Sequence, residues 1–317
     1  MKIVFLDENS VVFNNDIDLS ELEYLGEYRG YRLKPDDDPV QYCEDVEVII
    51  SNKVKISRKH IGLLPHLKLI CVAATGYDNI DIQAAKDRGI RVANVEGYAK
   101  NAVVQHVWAL ILSFTTRVCD YYRDVRTGEW YKSETFNLLR YPTFELGGKK
   151  LGIIGFGSIG KGIAKVAEAF GMEVMAHDIV DISDTGYKNY PIDHVLRDAD
   201  IVSINCPLTE QTRNIINAES FRKMKKSAIL INTARGGIVN EADLAEALNS
   251  GIIAGAAVDT LSKEPPDEGN SLLDDVKNLI ITPHCAWSTR DARQRLIDSI
   301  VEKIKNYLKG NYEGLIV

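Results

Sequence analysis

Residues 150–160 read Lys-Leu-Gly-Ile-Ile-Gly-Phe-Gly-Ser-Ile-Gly, and this stretch decides the fold. Its first five residues form a short apolar run typical of a buried strand, and a helical pattern begins after the glycines. Gly155, Gly157 and Gly160 have the spacing GxGxxG, and the next predicted strand leads to Asp178. A strand, a glycine-rich turn, a helix and an acidic residue 23 positions after the first glycine are typical of a dinucleotide-binding unit.

Each residue of this fingerprint has a specific predicted role. Gly155 permits the tight turn, Gly157 lets the backbone approach a pyrophosphate, and Gly160 lets the helix pack closely on the strand. Asp178 is expected to bind the hydroxyls of the adenosine ribose, and its charge would repel a 2′-phosphate. Residues 179–182 contain no arginine that could accept such a phosphate, so the sequence predicts NAD in preference to NADP. The alternative for the glycine loop is a purely structural strand–turn–helix. The alternative for Asp178 is a carboxylate that only caps a turn.

Short β-branched runs alternate with helical stretches along the whole chain, a pattern typical of parallel sheets built from strand–helix–strand units. The predicted strands are Lys2–Leu6, Val46–Ser51, Leu69–Ala73, Arg91–Ala93, Lys150–Ile154, Glu173–Ala176, Ile201–Ile204, Ala228–Asn232, Ile253–Val258 and Leu279–Ile281. An apolar helix is predicted over Ala102–Phe114, and we interpret His106 within it as a core histidine with satisfied hydrogen bonds. The sequence therefore predicts an α/β fold.

The chain of 317 residues is expected to form two domains, because one hydrophobic core rarely serves so many residues. The dinucleotide-type unit begins in mid-chain, at Leu151. A last helix is predicted over Asp291–Leu308, with one apolar face that is expected to pack on the amino-terminal part. That face consists of Leu296, Ile297, Ile300, Val301, Ile304 and Leu308. We therefore expect an outer domain of residues 1–98 and 292–317, with an inserted domain of residues 99–291.

Composition and charge exclude several classes of protein. Hydrophobic residues make up 45% and charged residues 26% of the chain, which excludes disordered, collagen-like and coiled-coil proteins. The net charge of −7 argues against binding to nucleic acid, or to a membrane through a basic surface. Five cysteines without paired short spacing indicate neither a disulfide framework nor a zinc site, so we expect a reduced, cytoplasmic compartment. The amino terminus lacks signal-peptide features, and the apolar helix is too short to span a bilayer.

The segment 117–147 is unusually aromatic. Its aromatic residues are Tyr121, Tyr122, Trp130, Tyr131, Phe136, Tyr141 and Phe144. Because protein interfaces are enriched in tyrosine and tryptophan, we expect an arm that packs against a second subunit. The alternative is a small satellite core beneath a loop.

Charged side chains follow three successive predicted strands of the inserted domain. Arg235 follows the first of these strands, Asp259 and Glu264 follow the second, and His284 follows the third. Because the carboxyl ends of parallel strands lie at one edge of a sheet, where ligands bind, we expect these residues to meet beside the cofactor.

This combination suits reversible hydride transfer to a 2-oxo acid. The arginine offers a planar fork for the substrate carboxylate and keto oxygen, and His284 donates the proton while Glu264 stabilises its charged form. Taken singly, the alternatives are a surface ion pair for Arg235, a solvated loop residue for Glu264 and a structural role for His284.

Five motifs give the sequence a resemblance to the D-isomer-specific 2-hydroxyacid dehydrogenase family over nearly its whole length. They are Gly155–Gly160, Cys206–Ile215, Asn232–Gly237, Ala256–Asp259 with Glu264-Pro265, and Pro283-His284. The resemblance implies a flavodoxin-like outer domain that carries substrate contacts, an inserted Rossmann domain that binds NAD, and a cleft between them. It also implies a homodimer joined through the Rossmann domains, for which the segment 117–147 would be the arm.

The resemblance further implies roles for individual residues. Arg235 matches the arginine that binds the substrate, His284 matches the acid/base, and Glu264 matches its partner. Asp259 matches the residue that contacts the nicotinamide carboxamide. The loop Ala74-Thr75-Gly76 matches one whose backbone amides hold the substrate carboxylate. Further contacts to the cofactor are implied for Ser158, Ile159, Cys206, Pro207, Thr212, Thr233 and Ala234.

Three stretches are most similar to the glycerate dehydrogenase (hydroxypyruvate reductase) branch of this family: Ser51–Lys53, Val72–Asp81 and His284–Ser288. Within and beside them, Lys53, Tyr77 and Trp287 are the side chains expected to select the substrate. Cys285 departs from the aliphatic residue that is more usual after the histidine.

The resemblance thus implies an NAD-dependent reductase that converts a short 2-oxo acid to the D-alcohol, with hydroxypyruvate as the first candidate substrate. D-lactate-type reductases and reductases of bulky 2-oxo acids on the same fold are the close alternatives. A non-catalytic, NAD-sensing, corepressor-like module is the alternative from a different class, because a fold alone does not establish an activity. Such a binding module would have no need of a proton donor such as His284.

Overall fold

A computed structural model describes residues 1–317, which form two compact units. Unit 1 comprises Met1–Ala99 and Trp287–Val317, and unit 2 comprises Lys100–Ala286. The chain therefore leaves unit 1 once and returns to it once. The return lies at Trp287, whereas the sequence predicts it at residue 292, so Trp287 belongs to unit 1.

Strands and helices alternate along the chain, which confirms the predicted α/β class. The strands are β1 (Lys2–Phe5), β2 (Glu27–Gly30), β3 (Val48–Ser51), β4 (Leu69–Val72), β5 (Arg91–Ala93), β6 (Lys150–Ile154), β7 (Glu173–His177), β8 (Ile201–Ile204), β9 (Ile229–Asn232), β10 (Gly255–Val258) and β11 (Leu279–Ile281). The helices are α1 (Ser20–Leu25), α2 (Arg58–Leu63), α3 (Ile82–Asp87), α4 (Lys100–Thr116), α5 (Val118–Arg126), α6 (Ser158–Ala169), α7 (Ile192–Asp198), α8 (Ala218–Lys223), α9 (Glu241–Asn249) and α10 (Arg290–Leu308).

Unit 1 contains a five-stranded parallel sheet with the order β2-β1-β3-β4-β5, which is the flavodoxin-like order. Only β2 is not among the predicted strands. Its residues Glu27-Tyr28-Arg29-Gly30 lie at the sheet edge, and three of the four are exposed. An edge strand with exposed faces needs no run of apolar residues, so its sequence carries no hydrophobic signal.

The last helix, α10, packs on the sheet of unit 1, as the sequence predicts. Five residues of its apolar face are buried in one cluster with residues of β1, β3 and β4: Leu296, Ile297, Ile300, Val301 and Ile304. Leu308 is 54% exposed, so its predicted burial is wrong. The helical period predicts the face on which a residue lies, not where the covering sheet ends.

An ion pair joins α10 to the loop after β1. Arg293, 8% exposed, donates from Nη1 and Nη2 to the two carboxylate oxygens of Asp16, at 2.8 and 2.6 Å. Arg293 also donates to the carbonyls of Val11 and Ser288, at 2.8 Å each. The hydrogen bonds from Arg293 lower the pKa of Asp16 from 3.8 to about 2. Within unit 1, this pair therefore ties the carboxyl-terminal helix to the amino-terminal residues.

We expect Asp16→Asn to lower the free energy of unfolding at neutral pH, because Arg293 loses its charged partner in a buried position. The pKa of Asp16 is depressed in the folded state, so the pair stabilises the protein above pH 3.8, and its contribution is lost as the pH falls towards about 2. Urea unfolding across that range should show the variant and the wild type converging. Glu302→Gln, at an exposed position of the same helix, is the control. A difference that did not depend on pH would contradict this account.

Unit 2 contains a six-stranded parallel sheet with the order β11-β10-β9-β8-β6-β7. All six strands lie where the sequence predicts them, to within two residues at each end. The chain runs from β6 outward to β7 and then returns to the other side of β6 as β8. Ligands of doubly wound sheets bind at the carboxyl ends of such a neighbouring pair, where the direction of winding reverses. In this sheet the glycine loop follows β6, and Cys206 lies just after β8.

The segment 117–147 packs partly on itself. Tyr121 and Tyr141 meet edge to face, with ring centroids 5.1 Å apart. Other aromatic side chains of the segment lie in solvent, and Tyr131 is 93% and Phe136 89% exposed. The segment therefore leaves several aromatic side chains exposed in the single chain.

No single helix combines the length and apolarity needed to cross a membrane. By length and composition alone, α4 and α5 pass that test as a pair, and they are bent by 60° at their junction.

Candidate active site

The glycine loop after β6 is shaped by two close approaches of the backbone. Gly155 has a φ of +90°, and a Cβ atom there would lie 2.5 Å from the backbone nitrogen of Cys206. A Cβ atom at Gly160 would lie 2.4 Å from the carbonyl oxygen of Gly155. No side chain fits at either position, so these glycines bring the loop against both β8 and its own helix.

Gly157 differs, because a Cβ atom there would meet no protein atom within 4 Å. Helix α6 begins at the next residue, Ser158, followed by Ile159, and no side chain caps its amino terminus. The first N–H groups of a helix attract anions, so this open cradle fits the pyrophosphate of a dinucleotide.

Asp178 lies directly after β7 and contacts the glycine loop. Its Oδ2 accepts a hydrogen bond from the Phe156 N–H at 2.6 Å, and its Oδ1 accepts one from the Val180 N–H at 3.1 Å. The carboxylate is half-buried, so part of it remains accessible to a ligand. It therefore caps a turn and also contacts the glycine loop, and its predicted contact with an adenosine ribose stays a prediction.

The remaining residues with predicted cofactor contacts follow β8 and β9. Cys206 is half-buried, and burial raises the pKa of its thiol. The Thr212 hydroxyl donates to the Pro207 carbonyl at 2.7 Å, which closes the loop after β8. Thr233 and Ala234 come directly after β9.

Arg235 lies on the loop after β9, and a buried asparagine shapes that loop. The side chain of Asn232 donates to the Arg235 carbonyl at 2.9 Å and accepts from the Ala234 N–H at 3.1 Å. The Arg235 side chain is exposed, and its Nη1 donates to the Ala234 carbonyl at 2.8 Å. The role of Asn232 is not among the sequence predictions, although a polar residue closing a buried strand is a signal that could have suggested it.

Gly236 brings this loop against the loop after β10. A Cβ atom at Gly236 would lie 2.0 Å from the carbonyl carbon of Leu261 and 2.2 Å from the backbone nitrogen of Ser262. The two backbones are therefore in direct contact. As a result, the segment that carries Arg235 and the segment that leads to Glu264 are held together without any side chain between them.

Glu264 and His284, which the sequence predicts as partners, are hydrogen-bonded. The distance from Glu264 Oε2 to His284 Nδ1 is 2.5 Å, and Glu264 Oε1 accepts the Leu261 N–H at 2.9 Å. The side chains are 34% and 27% exposed, respectively. The carboxylate is therefore fixed by its own loop while it orients the imidazole.

Asp259, at the end of β10, holds the segment that carries His284. Its Oδ1 accepts the Thr282 hydroxyl at 2.5 Å and the Cys285 N–H at 2.9 Å, and its Oδ2 accepts the Ala286 N–H at 2.9 Å. The Asp259 carbonyl accepts the His284 N–H at 2.8 Å. Asp259 is 1% exposed, and this anchoring role is not among the sequence predictions. Its predicted contact with the nicotinamide carboxamide stays a prediction.

The residues with predicted substrate contacts in unit 1 lie on three segments. Lys53 lies after β3, and its N–H donates to the buried carboxylate of Asp7 at 2.6 Å. The Asn52 N–H donates to the same carboxylate at 2.9 Å, and burial raises the pKa of Asp7. Asp7 therefore fixes the backbone at Lys53, a role that is not among the sequence predictions.

The other two segments of unit 1 are also anchored. Ala74, Thr75 and Gly76 follow β4, and the Thr75 hydroxyl donates to the Val95 carbonyl at 3.0 Å. Trp287 packs edge-on against Tyr98, with ring centroids 6.2 Å apart.

Comparison with known proteins identifies this arrangement. Residues 108–286 match the model of the NAD-binding domain of the D-isomer-specific 2-hydroxyacid dehydrogenases. The chain belongs to this family. This dehydrogenase is 41% identical to a glycerate dehydrogenase of Methylorubrum extorquens over 99% of its own chain and 98% of the relative. It is 36% identical to a hydroxypyruvate reductase of Blautia hydrogenotrophica over 98% of both chains. Its fold matches the crystal structure of the TT0316 protein from Thermus thermophilus with a TM-score of 0.90 and 30% identity over 100% of both chains. The predicted family is confirmed, and the protein is an oxidoreductase with an NAD-binding domain.

We expect Gly236→Ala to destabilise this dehydrogenase by about 1–3 kcal/mol and to lower its activity, because the new methyl group collides with backbone atoms. Gly237→Ala is the matched control, since its methyl group would meet the flexible end of Leu208 at 3.2 Å. Thermal unfolding and turnover should both be affected more strongly by the first substitution. Equal effects of the two would contradict the importance of the contact between the two loops.

Proposed function

We propose that this dehydrogenase reduces hydroxypyruvate to D-glycerate with NADH. The observation that carries the proposal is the Glu264–His284 pair, with Arg235 on the adjoining loop, in a member of this family. The names of the two sequence relatives, glycerate dehydrogenase and hydroxypyruvate reductase, support the choice of substrate.

His284 is the proposed proton donor. An ionised Glu264 can only accept, so His284 Nδ1 must carry a proton in the 2.5 Å contact. The other ring nitrogen, Nε2, then holds the proton that is transferred. Glu264 holds the ring in place while Nε2 gives its proton to the developing alkoxide as the keto group is reduced.

Arg235 is the proposed substrate-binding cation. Its guanidinium is planar and can make two parallel hydrogen bonds to a carboxylate, or bridge a carboxylate and a keto oxygen. Asn232 fixes the backbone at Arg235, so the side chain starts from a defined position. The backbone amides of Ala74, Thr75 and Gly76 are proposed to hold the substrate carboxylate.

The nicotinamide cofactor supplies the hydride when it is bound. Gly155–Gly160 and Asp178 are proposed to hold it, together with the residues after β8 and β9 described above. The negative charge of Asp178 and the lack of an arginine in residues 179–182 favour NADH over NADPH.

Lys53, Tyr77 and Trp287 are the proposed determinants of substrate choice. Pocket contacts of this kind contribute about 1–3 kcal/mol to discrimination, which is enough to distinguish a small 2-oxo acid from a bulky one. Tyr98 supports Trp287 from the side, and Asp7 supports the backbone at Lys53.

An NADH-oxidation assay tests the substrate and the cofactor together. We expect hydroxypyruvate to have the highest kcat/KM in a panel that also contains glyoxylate, pyruvate, 2-oxoisocaproate, phenylpyruvate and 2-oxoglutarate. NADPH should support less turnover than NADH. A higher kcat/KM for a bulky 2-oxo acid would contradict the proposed substrate but not the proposed proton donor. Equal use of NADPH would contradict the role of Asp178.

Two variants test the roles of the histidine and its partner. His284→Ala should lower kcat on the order of 10²–10⁴-fold, because general acid catalysis is lost, with NADH binding unchanged. Glu264→Gln should lower kcat by a smaller factor, because its amide oxygen still accepts the hydrogen bond from His284 Nδ1 although it carries no charge. Steady-state kinetics measure kcat, and fluorescence titration with NADH measures the affinity for the cofactor. An NAD-sensing module would show bound NADH and no turnover in the wild type.

A homodimer formed through the segment 117–147 is also proposed, in a cytoplasmic protein. The exposed side chains of Tyr131, Phe136 and Leu139 support this assembly, since subunit interfaces are enriched in aromatic residues.

We expect the double substitution Tyr131→Ser with Phe136→Ser to shift the protein from dimer to monomer in analytical ultracentrifugation, because it removes two exposed aromatic contacts. Tyr24→Ser, at an exposed aromatic position of unit 1, is the matched control and should leave the mass unchanged. A monomeric wild type would overturn the proposed assembly.

A further inference from the structure

A chain of hydrogen bonds lies behind the segment that carries His284. It begins at His106 on α4, whose Nε2 is 3.1 Å from the Thr282 hydroxyl oxygen. The same hydroxyl is 2.5 Å from Asp259 Oδ1. His106 Nε2 also lies 3.5 Å from Asp259 Oδ1, and the His106 side chain is 20% exposed. Three residues that are far apart in sequence therefore form one connected network within unit 2.

The direction of each hydrogen bond follows from the number of protons. The Thr282 hydroxyl has one proton, and the ionised carboxylate of Asp259 can only accept it. The hydroxyl oxygen must then accept the bond from His106, so the His106 proton is on Nε2. The order of donation is therefore His106 to Thr282 to Asp259.

This network acts on the backbone around His284. Asp259 receives the N–H groups of Cys285 and Ala286 through its carboxylate and that of His284 through its carbonyl. A rotation of the Asp259 carboxylate would release the residues that follow His284. The 2.5 Å contact between His284 and Glu264 depends on the position of that backbone. His284 also has a φ of +52°, a conformation that a non-glycine residue keeps only when its surroundings impose it.

We propose that His106 is a positioning residue for the proton donor: by donating to Thr282 it fixes the orientation of Asp259, and through Asp259 the position of His284. This inference rests on the proposed role of His284. It gives His106 a part in the reaction without any contact with the substrate.

A metal site is the competing interpretation of the same cluster. Ligand atoms of His106, Asp259 and Cys285 lie within 4.8 Å of one another. A metal would have to displace the proton of the Cys285 thiol, whose pKa is raised by burial and by the charge of Asp259. Both carboxylate oxygens of Asp259 are already engaged by donors of the chain. The hydrogen-bonded chain accounts for the cluster without a metal.

Two substitutions at position 106 separate positioning from simple packing. His106→Leu fills the space but removes the donor, and we expect kcat for the 2-oxo acid to fall about tenfold, the effect of about one hydrogen bond. His106→Gln places an amide N–H where Nε2 stood, and it should restore kcat to within about threefold of wild type. His106→Gln should also keep the melting temperature and the NADH affinity of the wild type. Equal losses in both variants would overturn the proposed donor role.

A double-mutant cycle with Thr282→Val tests whether His106 acts through the hydroxyl. Thr282→Val alone should lower kcat about as much as His106→Leu, because it cuts the same network. In the Thr282→Val background, His106→Leu should have little further effect. Additive effects would overturn the proposed path. If His106→Leu fails to fold, His106→Asn, whose shorter side chain does not reach the Thr282 hydroxyl, replaces it in the cycle.

An NMR measurement on the protein without cofactor keeps this inference separate from the proposed activity. The Nδ1–H proton of His284, which lies in the hydrogen bond to Glu264, is assigned by comparison with His284→Ala. Loss of the His106 donor should loosen that hydrogen bond and move the proton resonance upfield, whereas His106→Gln should preserve its position. An unchanged resonance in His106→Leu would overturn the inference. A wild type that reduces no 2-oxo acid would instead overturn the proposed function.

Discussion

The buried carboxylate of Asp259 is the constraint on which the candidate active site depends. A carboxylate that is 1% exposed has lost most of its hydration, which costs several kcal/mol unless donors replace the water. Here three donors do so, and all three belong to the segment after β11. The cost of burying the charge is therefore offset only when that segment is in place. Since the segment includes His284, the hydrogen bonds that satisfy Asp259 also position the imidazole.

A parallel sheet makes this arrangement possible. The carboxyl ends of its strands lie at one edge, so the loops after β9, β10 and β11 can be short and still lie close together. Gly236 lets two of those loops touch backbone to backbone, and Gly155 does the same between the loops after β6 and β8. The chemistry thus sits on short loops supported by a rigid sheet. Such support limits the freedom of Arg235, Glu264 and His284 before any ligand arrives.

Unit 1 also contains a buried aspartate that holds a neighbouring loop. Asp7 lies just after β1, is buried, and accepts the N–H groups of Asn52 and Lys53 from the loop after β3. Burial raises its pKa, because desolvation disfavours the charged form of the carboxylate. In both units a buried aspartate after one strand holds the backbone of a neighbouring loop. The side chains proposed to touch ligands then project from backbone that is already fixed.

The sequence by itself determined the α/β class, ten of the eleven strands, the glycine loop with Asp178, and the pairing of Glu264 with His284. These features are local: a buried strand, a tight turn or a helix face leaves a pattern in neighbouring residues. Only the tertiary structure decided the rest. The edge strand β2 has no apolar pattern, and the roles of Asp7, Asn232 and Asp259 as anchors depend on which loops the sheet brings beside them. His106, interpreted from sequence as a satisfied core histidine, finds its partner Thr282 176 positions away. A hydrogen bond over that distance exists only after the strands have been ordered in the sheet, and no local pattern of residues encodes that order.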